Sequence, residues 1–208
     1  QILGRLLAGR RRVLSVGKIP PPASLDEILK NSPQPKLLVA IDELSNAENL
    51  GALVRNCVAF GVHGLIVGET TSSPYLRRAV RNSMGTIFQL PVVELKNRRG
   101  AQESQNELRS RGILPSEKKL TLAEALRDLR SHGIHCIAAH PRADKKILSQ
   151  ADFTKDCCLV FGSEGNGISK TVLENCDEAV AIPMANEVDS LNVGAAAAVF
   201  LYEVARQR

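Results

Sequence analysis

Three polar turns hold most of the residues in this chain that could do chemistry, and each one opens onto a helical pattern. The first, DELSNAENLGALVR at 42–55, carries Asn49 and Arg55. The second, FGSEGNGIS at 161–169, carries Glu164. The third, PMANEVDSLNVG at 183–194, carries Ser190 and Asn192. Amides, a carboxylate, a hydroxyl and a guanidinium offer hydrogen bonds and charge, and the first turn of each following helix adds unpaired N–H groups that suit a polar or anionic ligand. Every one of these residues also has an ordinary use. Ser190 and Asn192 can cap a helix, Glu164 can sit in a surface turn, and Arg55 can make a surface ion pair.

Familiar signatures fail in these turns. Gly162, Gly165 and Gly167 run in the reverse order of the dinucleotide fingerprint, and Ile168 stands where a phosphate-binding loop needs lysine. The nucleophile elbow G-x-S-x-G is absent. His132, His135, Cys136 and His140 have no standard zinc spacing, and His135 and Cys136 fall on opposite faces of a strand, so no metal site is expected. Arg77, Arg78 and Arg81 crowd one short helix, as a solvated face or as a contact for phosphate.

The turns need a frame. Short apolar runs at 37–42, 64–68, 87–95, 135–139, 157–162 and 178–183 read as buried strands. Helical patterns at 48–61, 74–82, 121–131, 169–175 and 192–206 alternate with them. Strands apolar on both faces, separated by helices, predict an α/β fold: a mostly parallel sheet with helices on both faces. In such sheets ligands collect at the carboxyl ends of strands, where the three turns lie. Residues 97–120 are polar and long for a connection, and read as an insert, either a helix or a mobile loop. Domain organisation is thus expected as an arm and linker over 1–36 and one domain over 37–208.

Residues 1–36 hold seven basic side chains, Arg10, Arg11 and Arg12 among them, against Asp26 and Glu27. The net charge of +5 therefore resides in that arm, and the body is balanced. A basic arm on a neutral body suits an anionic partner such as nucleic acid, or is a solvated end. Five cysteines without a CxxC spacing fit reduced thiols in a cytoplasmic compartment, or an organelle if the arginine-rich start is what remains of a transit peptide. No apolar run has the length of a membrane span, so no membrane partner is expected.

Taken together, ENLGALVRNCVAFGVHGLIV, CLVFGSEGNGIS and IPMANEVDSLNVGAAAAVFLYE resemble the three ordered motifs of the SpoU (TrmH) family of RNA methyltransferases, in the SPOUT superfamily. VRNSMGTIFQLP at 80–91 is similar to a segment that family places between its first two motifs. The resemblance covers nearly all of 37–206. Asn186 and Gly194 depart from it, standing where Gly and Ser are usual.

The resemblance implies a deep carboxyl-terminal trefoil knot and a homodimer with helices in contact. The alanines Ala195–Ala198 would permit close backbone approach there, although an ordinary well-packed helix would use them too. It implies S-adenosylmethionine as cofactor, contacted by Gly162, Ile182, Leu191 and Ala139. The reaction would be methyl transfer to a ribose 2′-hydroxyl of rRNA or tRNA, with Arg55, Asn49, Glu164, Ser190 and Asn192 as the catalytic group. In that family the arginine matching Arg55 is regarded as activating the hydroxyl. Asn49 would orient Arg55 or the ribose, and Glu164 would pair with Arg55 or a backbone donor. Residues 1–36 would be the tail of an amino-terminal RNA-recognition domain, with Arg10, Arg11, Arg12, Arg77, Arg78 and Arg81 as candidate RNA contacts. The alternatives are a catalytically silent SPOUT module that binds RNA or a protein, and a small-molecule nucleotide-binding protein, which the failed glycine registers disfavour.

Overall fold

The structure is a computed structural model, and it describes residues 18–95, 120–141, 146–185 and 189–208. The arginines Arg10, Arg11 and Arg12, the 97–120 segment apart from Leu120, and Asn186 lie outside the described residues.

Among the described residues six strands form one wholly parallel sheet: β1 (Leu37–Ile41), β2 (Gly64–Val67), β3 (Val92–Glu94), β4 (His135–Ala139), β5 (Cys157–Phe161) and β6 (Glu178–Val180). Their spatial order is β3-β2-β1-β5-β4-β6. The chain moves outward from β1 through β2 to β3, then restarts on the other side of β1. This reversal makes the carboxyl ends of β1 and β5 a topological switch point, the place where open parallel sheets bind ligands.

β1 and β5 are buried along their whole length, as strands covered on both faces must be. Alternation of side chains then divides the core in two. On one face Val39, Ile41, Leu65, Leu159 and Phe161 meet α2 (Ala47–Ala59) and α6 (Val193–Gln207) through Leu50, Leu53, Val54, Phe200, Leu201 and Val204. On the other, Leu38, Ala40, Ile66, Cys136, Cys158 and Val160 meet α1 (Leu25–Asn31), α4 (Leu122–Ser131) and α5 (Lys170–Leu173). α3 (Arg77–Asn82) packs on α2.

Two elements differ from the sequence reading. The expected strand over 87–95 is a 3-10 turn at Thr86–Gln89 followed by a strand of only three residues, Val92–Glu94. Pro91 between them has no N–H to give a ladder, and only its carbonyl is used, accepting from Leu65. Residues 25–31, not read as a helix, form α1 behind a capping box in which Ser24 and Glu27 satisfy each other's backbone N–H groups. Leu25 and Ile28 of α1 enter the second core.

α6 is tied down at its far end. Gln207 accepts from Phe153 N–H and donates to the Ala151 carbonyl, and the Arg208 guanidinium donates to the carbonyls of Pro35, Lys36, Phe153 and Lys155. Midway, Phe200 meets Phe161 edge-to-face, with ring centroids 5.7 Å apart. Replacing Phe200 by alanine is expected to cost about 3–5 kcal/mol of stability, read from urea unfolding, because it empties the contact between α6 and the sheet.

A histidine near Arg208 makes the fold acid-sensitive. Leu37 N–H donates to His63 Nδ1 at 3.1 Å, which requires an unprotonated Nδ1. Burial and the positive charges of Arg208 and Lys36, opposed by Asp156, hold the His63 pKa below its ordinary 6.5. The unfolded chain therefore takes up the proton more readily than the folded one. The stability this histidine contributes is present above pH ~6.5 and is lost as pH falls through the lower folded value. The urea midpoint should decline over that window, and decline less in His63→Asn, whose side-chain carbonyl can accept the same N–H.

Candidate active site

The carboxyl ends of β1 and β5 are locked together. Asp42, directly after β1, donates its N–H to the Phe161 carbonyl at 2.8 Å and accepts from Ser169 N–H through Oδ2 at 2.8 Å. It is one of only two buried polar side chains among the described residues, and it fastens both flanks of the turn that holds Glu164. Sequence reading passed over it. An acidic residue ending a five-residue buried strand is the signal that could have found it.

The turn between is tight. Ser163 and Gly167 exchange both backbone hydrogen bonds, at 2.9 and 3.0 Å, and Asn166 N–H reaches Ser163 Oγ. Gly162 passes directly against this crossing, and a Cβ added there would lie 2.1 Å from the Gly167 carbonyl carbon. No side chain fits at that position.

The second turn meets the other two in a hydrogen-bonded triangle. Asn49 lies in the first turn of α2, behind Asn46, whose side chain caps Glu48 and Asn49. Asn192 caps α6 by accepting from Gly194 N–H at 2.9 Å. Glu164 Oε1 accepts from Asn49 Nδ2 and, at 2.9 Å, from Asn192 Nδ2, which also donates to Asn49 Oδ1 at 3.1 Å. Residues from three distant segments therefore share one carboxylate. The capping use of Asn192 and its place in the triangle coexist, because different atoms of one amide serve each.

Arg55 stands apart. Glu164 pairs with the two asparagines and not with Arg55, and Asn49 does not touch Arg55. Six residues along an α-helix turn through about 600°, so Asn49 and Arg55 leave α2 some 120° apart. Arg55 is exposed, and it makes no hydrogen bond or ion pair with the described residues. Ser190 is exposed as well, and does not share the triangle.

The four expected cofactor contacts occupy the same edge. Ala139 ends β4, Gly162 follows β5, Ile182 follows β6, and Leu191 immediately precedes Asn192. Ala139 and Ile182 are half-buried against the first core, while Leu191 exposes 39% of its surface. The edge thus combines a backbone approach that only glycine permits with apolar side chains open to a ligand. That suits a molecule having a flat apolar ring and polar groups, such as an adenosine. Among the described residues no three His, Cys, Asp or Glu side chains group to hold a metal ion. None of the described helices is long and apolar enough to cross a membrane.

A parallel α/β sheet with polar turns at its topological switch point and a triangle joining three sequence motifs defines a class of protein. The chain belongs to the SpoU rRNA Methylase family, whose model matches residues 36–114 and 107–202. It is 36% identical over 187 residues to an uncharacterized tRNA/rRNA methyltransferase of Mycobacterium avium, covering 90% of this chain and 52% of that one. The chain thus spans about half the length of the curated relatives it matches. Its fold superposes with a TM-score of 0.71 on the SpoU methyltransferase AviRb of Streptomyces viridochromogenes in complex with AdoMet, at 28% identity, covering 96% of this chain and 70% of that one. An RNA 2′-O ribose methyltransferase matches at 27% identity with a TM-score of 0.66, covering 90% of this chain and 61% of that one.

Proposed function

We propose that this protein transfers the methyl group of S-adenosylmethionine to a ribose 2′-hydroxyl of rRNA or tRNA in the cytoplasm, working as a knotted homodimer. The Asn49–Glu164–Asn192 triangle carries the reading, because it unites the three family motifs beside the Gly162 turn. Gly162, Ile182, Leu191 and Ala139 would hold the cofactor. When bound, it supplies a methyl group already activated by a positive sulfur.

The protein's own residues then have two tasks: placing the hydroxyl in line and handling its proton. Transfer to the hydroxyl oxygen would release the hydroxyl proton, which would pass to an RNA phosphate or to water. The guanidinium of Arg55 is a poor general base. Its role here is to bind the adjacent phosphate and stabilise negative charge developing on the 2′-oxygen. Its lack of a partner among the described residues supports that role. The triangle fixes the start of α2 against the cofactor turn, and Ser190 hydrogen-bonds near the reacting atoms.

α6 supports the dimer. Ala195, Val199 and Tyr202 recur at helical spacing on its exposed side, an apolar stripe suited to a second copy. The basic residues Arg10, Arg11, Arg12, Arg77, Arg78 and Arg81 would contact RNA.

The test is calorimetry with S-adenosylmethionine and S-adenosylhomocysteine, followed by methylation of unmodified rRNA and tRNA and nucleoside mass spectrometry. Binding near one site per chain and a 2′-O-methyl product are expected. No cofactor binding by the folded protein overturns the enzyme reading, and a base-methylated product overturns ribose specificity.

A further inference from the structure

Next to the first motif the surface is basic and apolar at once. Leu76, Met84 and Phe88 are all at least 47% exposed, although each is large and hydrophobic. Arg77, Arg78 and Arg81 stand among them, exposed and with no hydrogen bond or ion pair to the described residues. α3 spans only Arg77–Asn82 and buries Ala79, which leaves its three arginines on the outer side.

The segment is firmly built. Ser83 is fully buried, and its hydroxyl donates to the Val80 carbonyl while its own carbonyl accepts from Thr86 Oγ1 at 2.7 Å. Met84 and Gly85 return their N–H groups to Arg81 and Val80. The Phe88 ring lies 6.3 Å from that of Tyr75, which brings the two ends of the segment together. Phe88 is thus held in place with nearly half its surface bare.

This unit is anchored to α2. Gly51, two residues after Asn49, admits no side chain: a Cβ there would lie 2.5 Å from the Ala79 carbonyl oxygen and 2.7 Å from the Asn82 Cβ. α3 therefore rides directly on the first turns of the helix that carries Asn49 and Arg55, and whatever binds it is fixed relative to the triangle.

Resting on the reading of the substrate as RNA, we infer that Phe88, with Met84 and Leu76 beside it, is a stacking platform for an unpaired nucleotide flanking the target, whose phosphates are held by Arg77, Arg78 and Arg81. Arginines without a partner among the described residues call for an anion, and an exposed aromatic on the same segment calls for a flat apolar face. A single-stranded nucleotide offers both. A duplex keeps its bases stacked on one another and offers only the phosphates.

The test uses fluorescence anisotropy of the full 208-residue chain with a labelled twelve-nucleotide uridylate strand and a labelled twelve-base-pair RNA duplex, alongside cofactor calorimetry. Phe88→Ala should weaken single-strand binding by about 5- to 100-fold, and Phe88→Trp should restore it. Duplex affinity, cofactor affinity and the salt dependence should stay at wild-type values in Phe88→Ala. Arg81→Ala should instead weaken both RNAs and make the single-strand salt slope shallower by about 0.7. Equal losses on strand and duplex in Phe88→Ala, or none on either, overturn the platform while leaving the methyltransferase reading standing. A change of oligomeric state in Phe88→Ala makes the surface an interface between copies and also overturns it. A wild-type chain that binds cofactor but neither RNA overturns the platform. One that binds neither cofactor nor RNA overturns the functional reading with it.

Discussion

Arg55→Ala is expected to lower the methyl-transfer rate by about 10²- to 10³-fold while leaving S-adenosylmethionine affinity close to wild type. The asymmetry follows from where Arg55 sits. It is exposed, bonds to none of the described residues, and takes no part in the triangle that joins the three turns. Removing it takes nothing from the fold or from the cofactor edge, so the loss should appear in turnover alone. Arg55→Lys keeps the charge but gives up the planar fork that grips a phosphate through two donors, and should recover only part of the rate. Single-turnover kinetics on unmodified RNA, with cofactor binding measured in parallel, checks both. Near-full turnover by the lysine variant would remove the two-donor contact from the mechanism, and loss of cofactor binding by the alanine variant would move Arg55 from chemistry to structure.

Gly162→Ala should have the opposite profile. Its Cβ would come within 2.1–2.3 Å of the Gly167 carbonyl group and the Ile168 nitrogen. Those are backbone atoms, pinned by the Ser163–Gly167 pair and by Asp42 through Ser169, so no side chain can swing aside. The turn has to open. Overpacking of this kind costs about 1–3 kcal/mol or more of stability, and it displaces Glu164 from both asparagines. Cofactor affinity should fall by about 100-fold or be lost, read by calorimetry at a temperature where urea titration shows the variant folded. Gly165→Ala is the control. A Cβ at Gly165 meets nothing within 4 Å, so that variant should bind like wild type although it alters the same turn. Equal losses in both variants would mean that the turn tolerates no substitution for reasons other than this crossing.

The two profiles separate what the residue types announce from what the packing imposes. Arg55 stands out in the sequence only through the combined motifs, since beside Val54, Val58 and Ala59 its ordinary use would be a surface ion pair. Gly162 is one of three glycines in a turn, and although the family resemblance marks it as a cofactor contact, nothing in the residue types says that it excludes a side chain where Gly165 does not. The distinction comes from the return of the backbone at Gly167, which depends on the whole turn being folded.

The sequence by itself determined the parallel sheet and most of the helices that cover it. Strands such as LLVAI and CCLVF are apolar at every position, and only a parallel sheet covered on both faces buries such a strand along its length. Three polar turns in order, each before a helix, placed the candidate chemistry at one edge and carried the family resemblance. Elements governed by local backbone chemistry were less legible. Pro91 shortened the third strand, and the Ser24–Glu27 capping box started a helix inside a stretch that reads as a linker. Which side chains meet was decided by tertiary structure alone. Asn49, Glu164 and Asn192 are separated by 115 and 28 residues, and nothing local tells Glu164 to choose the two asparagines over Arg55. That choice follows from the rotation of α2 and the abutment of β1 with β5, both set by the core packed beneath them. Asp42 acquired its role in the same way: its carboxylate became a fastener only when β5 was laid beside β1 and Ser169 came within 2.8 Å.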